Sequence, residues 1–256
     1  TKNSEIKVVQ VGEGADELFY GYDHWNRYLK LNKFFKPFLK STKKYSSFKN
    51  HRLNMLSNIL FNRTSFAGGA LGFNLKELDS LLVDGLPNHS DLIFYSDNKW
   101  KDYFSNKNSK ISKWMTLIDL KIRLPELLLM RMDKLVMQSA VEARVPFLDH
   151  KLVEYVLSLP EELLIDLTNT KSLLKKVALK YLPDQIIYRK KQGFRAPIGE
   201  WIKKDEEKFY ESVQQFNSLV NLFNERELNH ILNGNDYQKK WYLINLSNWH
   251  LARVAN

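Results

Sequence analysis

The hydrophobic pattern near the start of the chain predicts a strand, a glycine turn and a helix. Residues 8–11 are rich in Val, and Leu18, Phe19 and Tyr22 then recur at helical spacing. Between them, residues 12–17 read Gly-Glu-Gly-Ala-Asp-Glu. Such a junction points backbone N–H groups and the positive end of a helix dipole at whatever lies above it. The junction is therefore a candidate phosphate site.

Two carboxylates, Glu13 and Asp16, belong to this turn. They would repel a bare phosphate, so a phosphate here needs Mg²⁺, which proteins usually hold with one or two carboxylates and phosphate oxygens. In the alternative interpretation, Asp16 and Glu17 only complement the N-terminus of the helix, while the glycines make a tight turn. The spacing alone does not decide between these two interpretations.

The rest of the chain predicts mainly helices. The longest runs from about residue 114 to residue 141, with Pro125 as an interruption. Pro146 forces Val145 into an extended conformation, so this helix must end before it. The strand at residues 6–11 is of the parallel type, and such strands are paired with neighbours and covered on both faces. We therefore expect an α/β fold that is mostly helical.

One carboxylate interrupts an apolar stripe of the long helix. Met130, Met137 and Ala140 share a face with Asp133. A carboxylate on such a face is costly unless something pairs with it. Either a neighbouring Arg or Lys neutralises Asp133 in a structural ion pair, or Asp133 faces a functional site.

Basic side chains mark two later segments. Lys171 lies in the first turn of a helix that Asn169 or Thr170 can cap, and a lysine there opposes the helix dipole. Residues 188–197 carry four bases around Gly193. Most basic turns are simply exposed to solvent and bind no ligand. These positions are therefore candidates for phosphate contacts, but the basic residues alone do not identify a site.

Composition limits the classes of function. The chain has 256 residues and no Cys, which excludes a disulfide framework, a thiolate metal site and a cysteine nucleophile. The net charge is +10, but 39 bases are interspersed with 29 acids, which favours a solvated basic face over nucleic-acid binding. No run approaches the ~20 apolar residues of a membrane helix, and no signal peptide opens the chain. We expect a cytoplasmic protein without nucleic-acid or membrane partners.

Three segments resemble the synthetase domain of the asparagine synthetase (glutamine-hydrolysing) family. Residues 11–22, VGEGADELFYGY, resemble its turn SGEGxDExFxGY, with Val11 in place of the usual Ser. Residues 124–150 resemble its long helix and the following E-x-R-x-PFLD segment. Residues 171–201 resemble its tail K-x-x-L-[KR]…LP…R-x-K-x-x-F…P…W. Three motifs in the same order are much more specific than a lone glycine turn.

The resemblance implies a fold and a domain organisation. Residues 1–256 would form the C-terminal portion of an adenine nucleotide alpha hydrolase-like (ATP-pyrophosphatase) synthetase domain. The family's SGGxDS loop, which wraps the pyrophosphate of ATP, and its N-terminal glutaminase domain are absent, and the chain opens on Thr1 without Met. We therefore expect a fragment that depends on the missing N-terminal part of the same protein and cannot turn over ATP alone. The resemblance is also compatible with a homodimer of the full-length form.

The resemblance also implies a reaction and its residues. The family adenylates the side-chain carboxylate of aspartate with MgATP, releases pyrophosphate and lets ammonia, supplied from glutamine in the full-length protein, form the amide. Glu13 would then assist deprotonation or orientation of the amine, Asp133 would support that acid, and Lys191 would stabilise charge on the α-phosphate and pyrophosphate. The implied nucleotide contacts are Gly12, Gly14, Asp16, Lys171 and Arg189, with Asp16 also holding Mg²⁺.

Two alternatives remain open from the sequence. The same adenylation could act on another acceptor, such as a sugar acid or a lactam precursor, because Val11 and the unassigned residues 84–110 allow a different substrate. The chain could instead be a non-catalytic helical binding module.

Overall fold

The computed structural model describes residues 6–35, 51–60, 72–86, 102–103, 110–190 and 196–254. The chain divides into two compact units. The strand unit comprises Thr1–Thr42, Asn58–Ala70 and Ser96–Lys190. The helical unit comprises Lys43–Ser57, Leu71–Tyr95 and Lys191–Asn256.

Helices account for most of the described chain, as the sequence predicts. In chain order the elements are β1 (Val8–Gln10), α1 (Ala15–Leu18), α2 (Asp23–Phe35), α3 (His51–Leu60), α4 (Leu75–Leu81), α5 (Ile111–Ile118), a π-helix (Asp119–Leu129), α6 (Met130–Met137), β2 (Glu142–Arg144), a 3₁₀ turn (Pro146–Leu148), α7 (His150–Ser158), α8 (Glu161–Leu164), α9 (Ser172–Ala178), α10 (Asp184–Ile187), α11 (Ile198–Lys204), α12 (Glu206–Val220), α13 (Glu225–Leu232) and α14 (Tyr237–Val254).

A two-stranded parallel sheet organises the strand unit. Strand β1 pairs with β2 in the register Val8–Glu142, Val9–Ala143 and Gln10–Arg144. One further backbone bond, from Val11 N to the carbonyl of Arg144 (2.9 Å), extends the pairing toward the glycine turn. The predicted parallel strand is therefore confirmed, and its partner lies in the segment just before Pro146.

The charged residues around β2 have separate partners. Glu142 and Arg144 lie on the exposed side of the strand and pair with each other (2.8 Å). Asp149 instead caps α7, because its carboxylate accepts from the backbone N–H groups of Lys151 and Leu152. The ion pair on β2, after the long helix, and the cap of α7 are thus separate interactions.

The long helix is continuous from Ile111 to Met137 but changes type in the middle. Pro125 lies inside the π-helix, and the N–H of Met130 donates to the Pro125 carbonyl. A proline lacks its own N–H and clashes with the preceding turn, and the wider π-turn accommodates this defect. Where the sequence predicts an interruption, Pro125 therefore lies in a continuous helix whose type changes locally.

Each unit has its own apolar core. In the strand unit, Trp25, Trp114 and Met115 are buried. In the helical unit, the core side chains include Leu81, Ile202, Val213, Leu228 and Ile244. Burial of each such side chain stabilises the fold by about 1.5–3 kcal/mol.

Local capping determines where two helices of the helical unit begin. Asn74 and Glu77 form a reciprocal capping box at α4, and Asn224 accepts from the N–H groups of Arg226 and Glu227 at α13. Among the described helices, none combines the length and apolar character that a membrane crossing requires.

Candidate functional site

The glycine turn, residues Gly12–Glu17, directly follows β1. Gly14 has φ +91°, and a Cβ at this position would overlap the side chain of Leu148, so both the backbone conformation and the packing require glycine. Helix α1 comprises only four residues, Ala15–Leu18, and α2 begins at Asp23. The helix predicted to continue through Tyr22 therefore ends at Leu18, and α1 depends on tertiary contacts for its position.

The structure brings Asp16 and Lys171 together. The Lys171 Nζ lies 2.8 Å from Asp16 Oδ1, and each side chain is about a quarter exposed. A Cβ at Gly21 would overlap both Asp16 Oδ1 and the Lys171 Cε, so glycine is required there for this close pairing. Two residues predicted separately as nucleotide contacts thus share one site.

The start of α9 corrects the predicted cap. Lys171 is itself the N-cap residue, with φ 55° and no side-chain cap, and neither Asn169 nor Thr170 caps the helix. The Asn169 side chain instead accepts from the Lys175 Nζ at 2.9 Å. Lys171 therefore lies one residue before the helix, in a left-handed conformation that accompanies its reach to Asp16.

Glu13 has an increased affinity for a proton. Its pKa is raised by partial burial and by the nearby Glu17 and Asp16 carboxylates, while Arg131 and Arg123 act in the opposite direction. A carboxylate with a raised pKa is a stronger base than an ordinary one, and a stronger base suits a group that accepts a proton.

A buried polar cluster underlies the glycine turn. We call Glu17, Tyr22, Asp119 and Arg123 the Arg123 cluster. The Tyr22 hydroxyl donates to Glu17 Oε1 (2.6 Å), and the Arg123 Nη2 donates to the same carboxylate (3.1 Å) and to the Tyr22 hydroxyl. The guanidinium also lies 4.6 Å from the centroid of the Tyr22 ring.

Asp119 is the fully buried member of this cluster. Its Oδ2 lies 3.4 Å from the Arg123 Nε, but neither carboxylate oxygen accepts a hydrogen bond from the residues that the structure describes. Burial raises its pKa to about 7, against the lowering effect of Arg123 and with a further increase from Glu17. Burial outweighs the ion pair because the residue is completely inaccessible and the guanidinium is shared with Glu17.

The Arg123 cluster has little signature in the sequence. One signal was available: Asp119 and Arg123 are four residues apart in a predicted helix, which is the spacing of a helical ion pair. The contact from Arg123 to Glu17 spans 106 positions, and no local pattern reveals it.

Asp133 lies on an exposed face of α6. Met130 and Met137, which share that face, are 47% and 55% exposed, and α6 has no buried residues. The premise that a buried apolar stripe makes this carboxylate costly is therefore wrong. The role of Asp133 near Glu13 stays a prediction, whereas its neighbour Arg131 does act on the pKa of Glu13.

The basic tail is described only in part. Arg189 follows α10 and is exposed. Lys191 and Gly193 lie outside the described residues, as does most of the segment 84–110. The predicted role of Lys191 therefore stays a prediction.

The oxygen ligands at the turn suit magnesium. Among the described residues, no group of three or more His, Asp and Glu side chains could hold a metal ion by itself. Mg²⁺ is commonly bound by one or two carboxylates plus substrate phosphates rather than by a complete protein cage. The partly exposed carboxylate of Asp16 fits this type of shared site.

Comparisons with known proteins agree in pointing to one family. The family model described as Asparagine synthase matches residues 1–251. A protein of Bacillus subtilis (strain 168) named asparagine synthetase [glutamine-hydrolyzing] 1 is 28% identical over 82% of this chain. A putative asparagine synthetase [glutamine-hydrolyzing] of Mycobacterium bovis is 30% identical over 98% of the chain. The Gallus gallus asparagine synthetase [glutamine-hydrolyzing] is 38% identical over 29% of the chain.

The matches cover only part of each relative. The chain spans 34% of the Bacillus protein, 40% of the Mycobacterium protein and 14% of the Gallus protein. No solved structure matches the chain.

Proposed function

Because the chain belongs to the asparagine synthase family, we propose that it is the C-terminal portion of a ligase that converts aspartate, ammonia and ATP into asparagine, AMP and pyrophosphate. The observation that carries this proposal is the arrangement of the glycine turn at the end of β1. There Asp16 is paired with Lys171, and the adjacent Glu13 has a raised pKa. The proposed magnesium ligand, Asp16, and the proposed base, Glu13, are thus three residues apart in the same turn.

The glycine turn supplies the proposed nucleotide side of the site. Bound Mg²⁺ would neutralise phosphate charge, and Asp16 is the carboxylate that would hold it. A Cβ placed on Gly12 has no atom of a described residue within 4 Å, so the backbone here is open to a ligand. Gly14 fixes the shape of the turn, and Lys171 and Arg189 are the proposed cationic contacts to phosphate.

Glu13 has the proposed chemical role. Ammonia attacks a carboxyl carbon as the neutral amine, so a proton must leave the nitrogen when the N–C bond forms. Glu13 can accept that proton, and its raised pKa favours proton binding relative to an ordinary glutamate. We further propose that Asp133 supports Glu13 and that Lys191 follows the negative charge that develops on the phosphates.

The exposed sheet supports the proposal that further chain completes this domain. Parallel strands are normally covered on both faces. Ile6, just before β1, is 53% exposed, and Val8, the first residue of β1, is 39% exposed. We propose that the N-terminal part of the full-length protein covers them and completes an ATP-pyrophosphatase fold of the adenine nucleotide alpha hydrolase type. The glutaminase partner, the homodimer and a cytoplasmic location belong to the same proposal.

Acid-dependent pyrophosphate release tests the proposed reaction. The full-length polypeptide is assayed with ATP, Mg²⁺ and ammonia against aspartate, a sugar acid and a lactam-forming amino acid, and the amide product is identified. Release with aspartate, together with asparagine formation, supports the proposal. If only another acid causes pyrophosphate release, that acid is the acceptor of the same chemistry. If none of the acids causes pyrophosphate release, the ligase assignment is contradicted.

The variant Lys191→Ala tests the predicted transition-state contact in the same assay. We expect kcat to fall by roughly 100-fold or more, since the removed charge acts mainly on the transition state. Lys204→Ala, which removes a lysine near the end of α11, is the control and should leave release unchanged. Near-normal synthesis by Lys191→Ala would remove its proposed role.

A further inference from the structure

The position of the glycine turn depends on contacts made by α1. A helix of four residues is not stable by itself. Its Glu17 is buried, and the Thr116 hydroxyl donates to the Glu17 carbonyl at 3.3 Å. The side chain of Glu17 is held in turn by Tyr22 and Arg123. Contacts from α5 and the π-helix to Glu17 therefore fix the position of the turn.

Arg123 joins the separate parts of this support. One guanidinium contacts the carboxylate of Glu17 (3.1 Å), the carboxylate of Asp119 (3.4 Å) and both the hydroxyl and the ring of Tyr22. A planar guanidinium can make such contacts in several directions at once, whereas an ammonium acts as a point charge. Arg123 also lies within the π-helix, a local geometry that is frequent at functional sites.

The same guanidinium acts on the acid of the turn. The charged groups that face Glu13 are Glu17 and Asp16 from the turn itself, Arg123 from the π-helix and Arg131 from α6. The two carboxylates strengthen proton binding by Glu13, and the two cations weaken it. Loss of Arg123 would therefore change both the support of the turn and the electrostatic balance at Glu13.

We propose that Arg123 is a positioning residue of the ligase site, which holds Glu17 and Tyr22 so that the glycine turn presents Glu13 and Asp16 to the substrates. Arg123 touches neither reacting atoms nor substrate in this role; it acts through its contacts with Glu17 and Tyr22 and through the effect of its charge on Glu13. The inference rests on the proposed function, and it adds a residue outside the three sequence motifs that carry the family resemblance.

Two measurements on the full-length polypeptide test this role. The first is the pH profile of kcat for aspartate-dependent pyrophosphate release. The second is the titration of the Glu13 carboxyl by ¹³C NMR, with glutamate labelled at the side-chain carboxyl carbon and the Glu13 signal assigned from Glu13→Gln. The second measurement requires no turnover, so it remains informative if the proposed reaction is wrong.

Three variants separate charge from structure. Arg123→Gln removes the charge, Arg123→Lys keeps it, and Tyr22→Phe removes only the hydroxyl that bridges Glu17 and Arg123. Lys110→Gln is the control, because Lys110 also pairs with a glutamate in the strand unit, at 3.0 Å from Glu161, but on the surface. The Tyr22→Phe variant keeps the ring and is informative even if Arg123→Gln fails to fold.

The expected results follow from the charges around Glu13. Removing a cation raises the pKa of Glu13, so Arg123→Gln should move the acidic limb of the profile and the NMR titration upward by roughly half a pH unit. Arg123→Lys should restore the wild-type limb with a reduced kcat. Tyr22→Phe should lower kcat by roughly fivefold, the effect of one lost hydrogen bond. Lys110→Gln should match the wild type.

Other outcomes overturn the inference. If Arg123→Gln lowers only the melting temperature, while the titration of Glu13 and the acidic limb stay at wild-type values, Arg123 is merely structural. A wild type without acid-dependent pyrophosphate release contradicts the proposed function instead, and the NMR titration then decides by itself whether Arg123 acts on Glu13.

Discussion

The ammonium of Lys171 lies 2.8 Å from the carboxylate of Asp16, in a contact that joins the turn after β1 to the start of α9. The two residues come from different sequence motifs, and each was predicted as a nucleotide contact for its own reason. Their pairing brings residues of two separate motifs together within the strand unit. It also means that a metal ion or phosphate arriving at Asp16 meets a carboxylate whose charge is already partly balanced.

Gly21→Ala should disrupt this pair. A Cβ at Gly21 would overlap Asp16 Oδ1 and Lys171 Cε, so the side chains must move apart. We expect the free energy of unfolding to fall by about 1–3 kcal/mol, as for other overpacked sites. Urea unfolding measures the change. Gly12→Ala is the matched control, since its Cβ would meet no atom of a described residue within 4 Å, and an equal loss in both variants would refute the steric explanation.

Gly14→Ala should destabilise the same turn by a different mechanism. The positive φ of +91° disfavours any side chain, and the added Cβ would also overlap Leu148. We expect a loss of about 2 kcal/mol or more in unfolding free energy. The double variant Gly14→Ala/Leu148→Ala separates the two contributions in a mutant cycle. We expect Leu148→Ala to relieve part of the loss in unfolding free energy caused by Gly14→Ala. If the effects of the two substitutions are strictly additive, the contact with Leu148 does not contribute to the loss.

The sequence predicted features that depend on neighbouring residues. The parallel strand and the irregularity at Pro125 follow from patterns within a few positions: the structure confirms the strand, and it shows Pro125 inside a continuous helix of altered type. The three-residue strand β2 was missed because it is too short to show periodicity beside the end of a long helix.

The support of the candidate site could not be predicted in the same way. Arg123 and Glu17 meet across 106 positions, and the burial of Asp119 depends on how α2 and the long helix pack. The left-handed backbone of Lys171 likewise accompanies its contact with Asp16 rather than any local propensity. Such features arise from tertiary packing, which a single sequence does not specify by spacing.

The buried carboxyl of Asp119 should make stability depend on pH. In the folded protein its pKa is raised to about 7 from the ordinary value of 3.8, so between these values the native state binds more protons than the unfolded state. Stability therefore falls as the pH rises from about 4 to about 7, and the contribution is constant above that interval. Glu17 and Arg123 are the charged groups that face Asp119.

Asp119→Asn isolates this contribution. The amide cannot ionise, so the unfolding free energy of the wild type should decline relative to that of the variant by on the order of 3 kcal/mol between pH 4 and pH 7. Urea unfolding at several pH values measures the difference. Asp23→Asn, which removes an exposed carboxylate of the same unit, controls for the loss of one charge. A constant difference across the interval would show that Asp119 is ionised in the folded state.

Asn217 should contribute strongly to the helical unit. Its buried side chain donates to the carbonyl of Phe223 (3.0 Å) and accepts from the N–H of the same residue (2.7 Å). Asn217→Ala leaves both backbone groups unpaired, so we expect a loss of about 2–4 kcal/mol in unfolding free energy. Asn245→Ala, which removes an exposed amide that bonds the Trp241 carbonyl, should cost much less. Equal losses would contradict the assigned role.

The central claim is that the glycine turn binds magnesium and phosphate through Asp16. Calorimetric titration of the full-length polypeptide with pyrophosphate, at increasing Mg²⁺, measures this directly in the wild type, in Asp16→Asn and in Asp184→Asn, an exposed acid of the same unit. We predict that Mg²⁺ strengthens binding in the wild type and in Asp184→Asn, and that Asp16→Asn weakens it by roughly tenfold or more. Unchanged affinity and unchanged Mg²⁺ dependence in Asp16→Asn would contradict the claim.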